Sequence, residues 1–250
     1  MKLYATAPDA SMDMKADPVL SQHLRALIAE DRIDVAIETG TYLGLGSTRF
    51  VAEAFNAVAP PRRFVTVEVN FTHWCLARAN LRPYPFVDCR WGRTVALARA
   101  RAHMQEDALL RDPKNQEADV YIDSLDNPLG FYEREVAGDA PDLRPPAPPQ
   151  MQGGKQVVDI RSLLFEGEDL LPRLLTAHAE HAPLIILDSA GGMGFLEFQI
   201  VREMMAGRRF ALLLDDVHHV KHFRSLQHMR SDPAFQIVAA GTSWALARHP

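Results

Sequence analysis

The chain has 250 residues, 47% of them apolar, which is enough to bury one large α/β core or two small ones. A net charge of −5 and an isoelectric point near 6.1 argue against a general nucleic-acid binder, which is usually basic. Cys75 and Cys89 match no metal-site spacing and read as reduced thiols. No stretch approaches the ~20 apolar residues of a membrane span, and the N-terminal MKLYATAPDASMDMKADP lacks the apolar core of a secretion signal. A cytoplasmic protein is therefore expected.

In chain order, Asp17-Pro18 offers an N-cap and a first-turn proline for a helix over about 18–30, with Leu20, Leu24, Leu27 and Ile28 on one face. A strand is predicted at 33–38 and a helix at 48–58, the latter ended by Pro60-Pro61. A second strand covers 64–69, a helix 71–81, a third strand 86–91 and a helix 94–110. From about 112 to 154 the chain turns polar and proline-rich, with RPPAPP at 144–149. A stretch of this length reads either as a solvated, disordered insertion or as a lid or subunit contact carrying Tyr121, Asp123, Phe131 and Tyr132. The alternation then resumes. A helix is predicted over about 162–181, a strand at 184–187, a helix over about 195–206, a strand at 210–214 and a helix over about 221–230. Segments 235–240 and 243–247 would form a closing antiparallel pair. Strands alternating with helices imply a parallel sheet covered on both faces.

Four of the predicted strands end on acids: Glu38, Glu68, Asp188 and the pair Asp215-Asp216. Ligands of open α/β sheets bind outside the carboxyl ends of the strands, so these acids predict one shared crevice. The first strand runs into DVAIETGTYLGLGS at 34–47, an acid followed by Gly40, Gly44 and Gly46. Gly44 and Gly46 match the start of a dinucleotide fingerprint, but Arg49 stands where its third glycine belongs, which sets an NAD oxidoreductase last among the readings. Glu38 either contacts the glycine turn from behind or caps the next helix. Glu68 lies where Rossmann-like folds place an acid on ribose hydroxyls, or is a solvated strand-end carboxylate. Clustered aspartates repel one another unless a cation or a shared proton compensates, and such oxygen ligands suit Mg²⁺. The histidines of DDVHHVKH, His218, His219 and His222, follow directly. Of these, His218 or His219 is a natural general base for a hydroxyl. A His-based Zn²⁺ or Fe²⁺ site ranks below Mg²⁺, because adjacent histidines on a strand point to opposite faces.

The acid before the first glycine and the G-x-x-x-G-x-G spacing resemble motif I of the class I S-adenosylmethionine-dependent methyltransferases. One Asp after the fourth main strand and an Asp pair after the fifth resemble the metal-dependent macrocin O-methyltransferase group, a sugar-methylating group, more than the catechol O-methyltransferase group. The resemblance covers roughly 30–110 and 165–248. It implies a single domain over 1–250 with an insertion at about 112–154. It also implies a Rossmann-like, doubly wound, mostly parallel seven-stranded sheet with an antiparallel C-terminal strand. The implied cofactor is S-adenosyl-L-methionine, cradled by Glu38, Thr39, Gly40, Thr41, Gly44, Gly46 and Ser47, with Glu68 on its ribose and Trp91 and Arg93 near its adenine. Trp91 reads equally as a core residue. The implied metal is Mg²⁺ on Asp188, Asp215 and Asp216, and the implied acceptor is a hydroxyl of a sugar or other polyhydroxylated small molecule. Asp188, His218 and His219 are then the candidate catalytic groups. Asp188-Ser189-Ala190-Gly191-Gly192 departs from the group, which often carries a histidine soon after this aspartate, and so implies an altered acceptor pocket. Two other classes remain. One is a metal-dependent nucleotide-sugar enzyme, for which Lys221 and Arg224 are the available phosphate-facing cations. The other is a non-catalytic cofactor-binding member. No nucleic-acid or membrane partner is expected, and self-association is left open.

Overall fold

The structure, a computed structural model, describes residues 17–112, 120–137, 146–147, 150–152 and 155–250. The polar N-terminal stretch and most of the RPPAPP run lie outside the described residues. Asp17 opens α1 (Pro18–Asp31). Its Oδ1 accepts the Val19 and Leu20 N–H groups at 2.8 and 3.0 Å, and its Oδ2 accepts Trp244 Nε1 at 2.7 Å. One side chain thus caps the first helix and ties it to the last strand. The elements that follow are β1 (Val35–Thr39), α2 (Ser47–Val58), β2 (Arg63–Glu68), α3 (Phe71–Asn80), β3 (Val87–Trp91), α4 (Leu97–Glu106), α5 (Ala108–Arg111) and α6 (Pro128–Ala137). Next come the short pair β4 (Gln150–Gln152) and β5 (Lys155–Val157), then α7 (Leu170–Ala177), β6 (Leu184–Leu187), α8 (Gly194–Met204), β7 (Phe210–Asp215), α9 (Phe223–Ser231), β8 (Gln236–Ala240) and β9 (Trp244–His249).

Seven strands form one sheet in the order β3-β2-β1-β6-β7-β9-β8, with β9 antiparallel to both its neighbours and the other pairings parallel. The fold is the Rossmann-like, doubly wound arrangement expected. Successive strand residues face opposite sides. Val35, Ile37, Ile185, Leu187, Leu212 and Leu214 pack with residues of α4 to α9, while Ala36, Leu184, Ile186, Ala211 and Leu213 pack with α1 and α2. Both faces are covered, which is why these strands read as continuous apolar runs. Each fully buried Leu or Ile contributes roughly 1.5–3 kcal/mol. The strand order turns back between β1 and β6, and in sheets of this kind ligands bind at the carboxyl ends beside such a switch point.

Two expectations are corrected. The helix predicted over 94–110 is two helices, because Asp107 breaks it: its Oδ1 caps Leu109 N–H at 3.0 Å, and Arg224 pairs with its carboxylate. The helix predicted over 162–181 starts only at Leu170. The preceding stretch makes a 3₁₀ turn at Ile160–Leu163 and is then drawn onto the edge of β3, where Glu166 N–H donates to Trp91 O and Arg93 N–H donates to Gly167 O, both at 2.9 Å. Gly167 takes φ +102 there, which no helix accommodates. Within the insertion, residues 120–137 pack on the body of the domain. Ile122, Tyr132 and Val136 are buried in the main core, and α6 lies against α4 and α5.

Candidate active site

The register brings the predicted acids to one rim. Glu38 is level with Thr66 and Ile186, Thr39 with Val67 and Leu187, and Leu187 with Leu214. Asp188 and Asp215-Asp216 therefore leave the sheet beside the glycine turn. In that turn Gly40 takes φ +82, and its N–H donates to Val67 O at 3.1 Å. A Cβ at Gly40 would overlap the Asp188 carbonyl, and one at Gly44 would press on the Leu81 side chain. At Gly40 and Gly44 the space a side chain would need is thus taken by protein, so only glycine fits there. The glycines let the turn lie flat on β6 and α3.

The carboxylates of the β1–β2 half are held by neutral donors. Glu38 is fully buried. Its Oε2 accepts Thr48 Oγ1 and Thr66 Oγ1, both at 2.6 Å, while its Oε1 has no hydrogen-bond partner among the described residues. Burial pushes its pKa up to about 7. Thr66 in turn lies 2.6 Å from Thr41 Oγ1, so Thr41 faces the sheet interior rather than the rim. Glu68 accepts Tyr42 N–H at 2.6 Å and Asn70 N–H at 2.7 Å, and burial pushes it up to about 7 as well. It is a buried rim carboxylate holding the turn, not a solvated strand end. Thr39 Oγ1 donates to Glu197 Oε2 at 2.8 Å. Glu197, which the sequence reading missed, also accepts Ser189 Oγ at 2.7 Å and Thr94 Oγ1 at 2.5 Å. Its one sequence signal is an acid between Leu196 and Phe198 in an apolar helix.

The aspartates of the β6–β7 half do converge: one oxygen from each of Asp188, Asp215 and Asp216 lies within 4.8 Å of the others. A cation already sits among them. Lys221 Nζ donates to Asp188 Oδ1 at 2.8 Å and to Asp216 Oδ2 at 2.9 Å, and Ser47 Oγ donates to Asp188 Oδ2 at 2.7 Å. Ser47 is thus an aspartate partner. Burial, with Asp188 alongside, pushes Asp215 up to about 8. Burial would also raise Asp216, but the Lys221 ammonium outweighs it and holds Asp216 below the usual range.

The histidines divide. His218 is exposed, with its ring 6.5 Å from that of Tyr121, and is among the groups that hold the Asp216 carboxylate down. His219 is buried under the 120–137 segment. Its Nδ1 accepts Lys221 N–H at 3.2 Å, which leaves the proton on Nε2, 3.0 Å from Asp123 Oδ2 and 3.1 Å from Tyr132 Oη. With the one lone pair taken, His219 holds no free base in this arrangement; it is the latch of the cover. Tyr121 N–H donates to His218 O and Val220 N–H to Tyr121 O, both at 2.9 Å, so the cover also pairs through the backbone. His222 is fully buried, with Nε2 3.0 Å from Leu187 O, and burial holds it neutral.

Trp91 is a core residue. It is 1% exposed, donates Nε1 to Val69 O at 3.0 Å and packs on Phe71 and Phe165. Arg93 is buried at the rim, where its Nη1 donates to Val136 O of α6 at 2.7 Å and its Nε lies 3.3 Å from Glu168. Between Val69, Arg93, Ser189, Met193 and the α6 residues Glu135 and Val136 is a cavity of about 70 Å³. A small-molecule site usually needs at least ~300 Å³. A wider hollow, about 460 Å³, lies along the β3 edge between Trp74 and Leu163, outside the rim.

The residues fit the cofactor that the resemblance implies at two points: the Glu68 carboxylate at the end of β2, and the unpartnered Glu38 Oε1 behind the turn. A divalent ion does not fit the trio as it stands, because Lys221 bridges two of the three carboxylates. The nucleotide-sugar reading loses its cations too. Lys221 is held by aspartates, and Arg224 is paired with Asp107 and stacked on Phe195. No helix among the described residues is long and apolar enough to cross a membrane.

No family model matches the chain, and no curated protein matches it in sequence. Among solved structures, the chain is similar to an O-methyltransferase from Bacillus cereus in complex with S-adenosylhomocysteine. The identity is 13%, 95% of this chain and 84% of that one are covered, and the TM-score is 0.47. It is also similar to an S-adenosylhomocysteine-bound methyltransferase of Podospora anserina, at 10% identity, with 95% and 81% covered and a TM-score of 0.43.

Proposed function

We propose that the chain is an S-adenosylmethionine-dependent O-methyltransferase acting on a hydroxyl of a sugar or other polyhydroxylated small molecule. The observation that carries this reading is the pairing at the switch point. The glycine turn after β1 is bonded through Tyr42 N–H to Glu68, the acid that ends β2, and the acids after β6 and β7 stand directly alongside. When bound, the cofactor supplies a methyl group already activated by its sulfonium. On this reading Glu68 would hold its ribose hydroxyls, and the turn its amino-acid end.

The remaining chemistry belongs to this chain's residues. A hydroxyl is a weak nucleophile until it loses its proton. Asp188 and Asp216, both paired with Lys221, are the carboxylates that can take it; Asp215 keeps its own proton near neutrality. Holding the acceptor oxygen in line with the methyl contributes roughly 7–11 kcal/mol. The cover formed by 120–137 excludes water once it is latched on His219. Calorimetry with S-adenosylhomocysteine tests the reading: wild-type protein binds it, and Glu68→Ala weakens binding by at least tenfold. Absence of heat from folded wild-type protein at millimolar ligand would sink it. Binding without turnover across a panel of hydroxylated acceptors would point instead to a non-catalytic cofactor-binding member.

A further inference from the structure

Three carboxylates with oxygens within 4.8 Å of one another require a compensating cation or a shared proton. Lys221 supplies the cation, and its route into the cluster is built. Its side chain is 5% exposed, and the stem passes over Gly194 at the start of α8, where any Cβ would overlap Lys221 Cγ and the His222 ring. Its backbone N–H is fixed on His219 Nδ1, and the next residue, His222, is anchored on Leu187 O at the end of β6. Ser47 occupies the other oxygen of Asp188, so the oxygen that meets the ammonium is set by a second bond. Asp216 holds φ +53, a left-handed conformation that aspartate adopts more readily than most residues other than glycine, at the residue whose carboxylate grips Nζ.

We propose that Lys221 is the resident cation of this rim, a positioning residue that bridges Asp188 and Asp216 where a divalent ion would otherwise sit, so that the site works without metal. The cation assignment rests on this geometry; its bearing on methyl transfer rests on the reading above. An ammonium donates hydrogen bonds in fixed number and carries one charge, whereas Mg²⁺ demands an octahedral oxygen shell. The two cannot share the Asp188–Asp216 gap.

The experiment is a Mn²⁺ titration followed by electron paramagnetic resonance, on wild-type protein, Lys221→Met and Asp216→Asn, with thermal melting alongside. Wild-type protein is expected to leave the free Mn²⁺ signal undiminished. Lys221→Met, with the trio emptied of its ammonium, is expected to take up Mn²⁺ stoichiometrically and to melt higher in its presence. A merely structural lysine would not create that site on removal. Stoichiometric uptake by the wild type that Asp216→Asn abolishes overturns the proposal, as does a folded Lys221→Met that takes up none. If Lys221→Met does not fold, the wild type against Asp216→Asn decides alone: silence in both upholds the proposal, and Asp216-dependent uptake overturns it. Calorimetry with S-adenosylhomocysteine on the same wild-type sample keeps the two readings apart. A Mn²⁺-silent protein that binds no S-adenosylhomocysteine loses the methyltransferase reading and keeps the lysine assignment.

Discussion

The two halves of the rim bury acids in different ways. On the β1–β2 side, Glu38, Glu68 and Glu197 are satisfied by threonine and serine hydroxyls and by backbone N–H groups. Neutral donors do not repay the loss of water around a charge, so burial wins. Glu38 and Glu68 rise to about 7, and Glu197 rises with them. On the β6–β7 side an ammonium enters the cluster, and the acids separate. Asp216, in direct contact with Lys221, is pulled down, while Asp215, beside it, goes up to about 8. In one half Glu38 and Glu68 are poised to change charge near neutrality with no cation beside them, while in the other an internal ion pair splits the acids into one held down and one pushed up. Acids that look alike at the ends of strands acquire their roles from what faces them.

The strongest way to break this contrast is to remove the ammonium. Lys221→Ala leaves the part-buried carboxylates of Asp188 and Asp216 uncompensated and is expected to cost about 3 kcal/mol in urea unfolding, the low end for a buried pair because water screens Asp216. A loss below ~1 kcal/mol would show that the ion pair does not hold this half together. The neutral half is tested through pH. The folded pKa of Glu38 lies above its unfolded value of 4.5, so its contribution is fully present below pH 4.5 and is lost as the pH climbs through about 7. The size is on the order of 3 kcal/mol. Glu38→Gln should flatten the stability–pH curve across that window relative to wild type, and an unchanged slope would mean that Glu38 does not titrate there.

A smaller effect is expected at Glu197. Replacement by Leu strips the acceptor from Thr39, Thr94 and Ser189 at once, for a cost of about 2–3 kcal/mol by chemical denaturation. A stability equal to wild type would remove this network from the description of the rim. The smallest change is at the cover. Tyr132→Phe deletes the hydroxyl that meets Asp123 and His219 and should cost about 1 kcal/mol. Its sharper readout is amide hydrogen exchange, which should quicken over 120–137 and leave β1 and β6 untouched. Uniform quickening would mean that the latch does not act locally.

Much of the frame was legible because it rests on local pattern. Apolar runs such as LIIL and FALLLD, bounded by acids and glycines, mark β6 and β7 almost to the residue, and Asp17-Pro18 marks the start of α1. Where reading failed, the cause was long-range. The stretch before Leu170 has helix-forming composition, yet backbone bonds to Trp91 and Arg93 hold it extended along β3. Tyr132 sits in a polar, proline-rich region, and only its place over Gly191 and against His219 makes it part of the core. Gly191 and Gly192, which on sequence mark the departure from the sugar-methylating group, are the positions where a side chain would collide with Tyr132.

The succession of the main strands along the chain and the ending of four of them on acids follow from the sequence alone. Hydrophobic periodicity and turn chemistry act within a few residues of one another, and a parallel sheet converts chain order into a common rim. The partner each acid finds there was settled only in three dimensions. Lys221 reaches Asp188 across 33 positions of sequence and Thr39 reaches Glu197 across 158, and no local pattern encodes which buried charge meets an ammonium and which a hydroxyl. That choice depends on the space left by Gly194 beneath the lysine stem and on the burial of each carboxylate, both properties of the packed molecule.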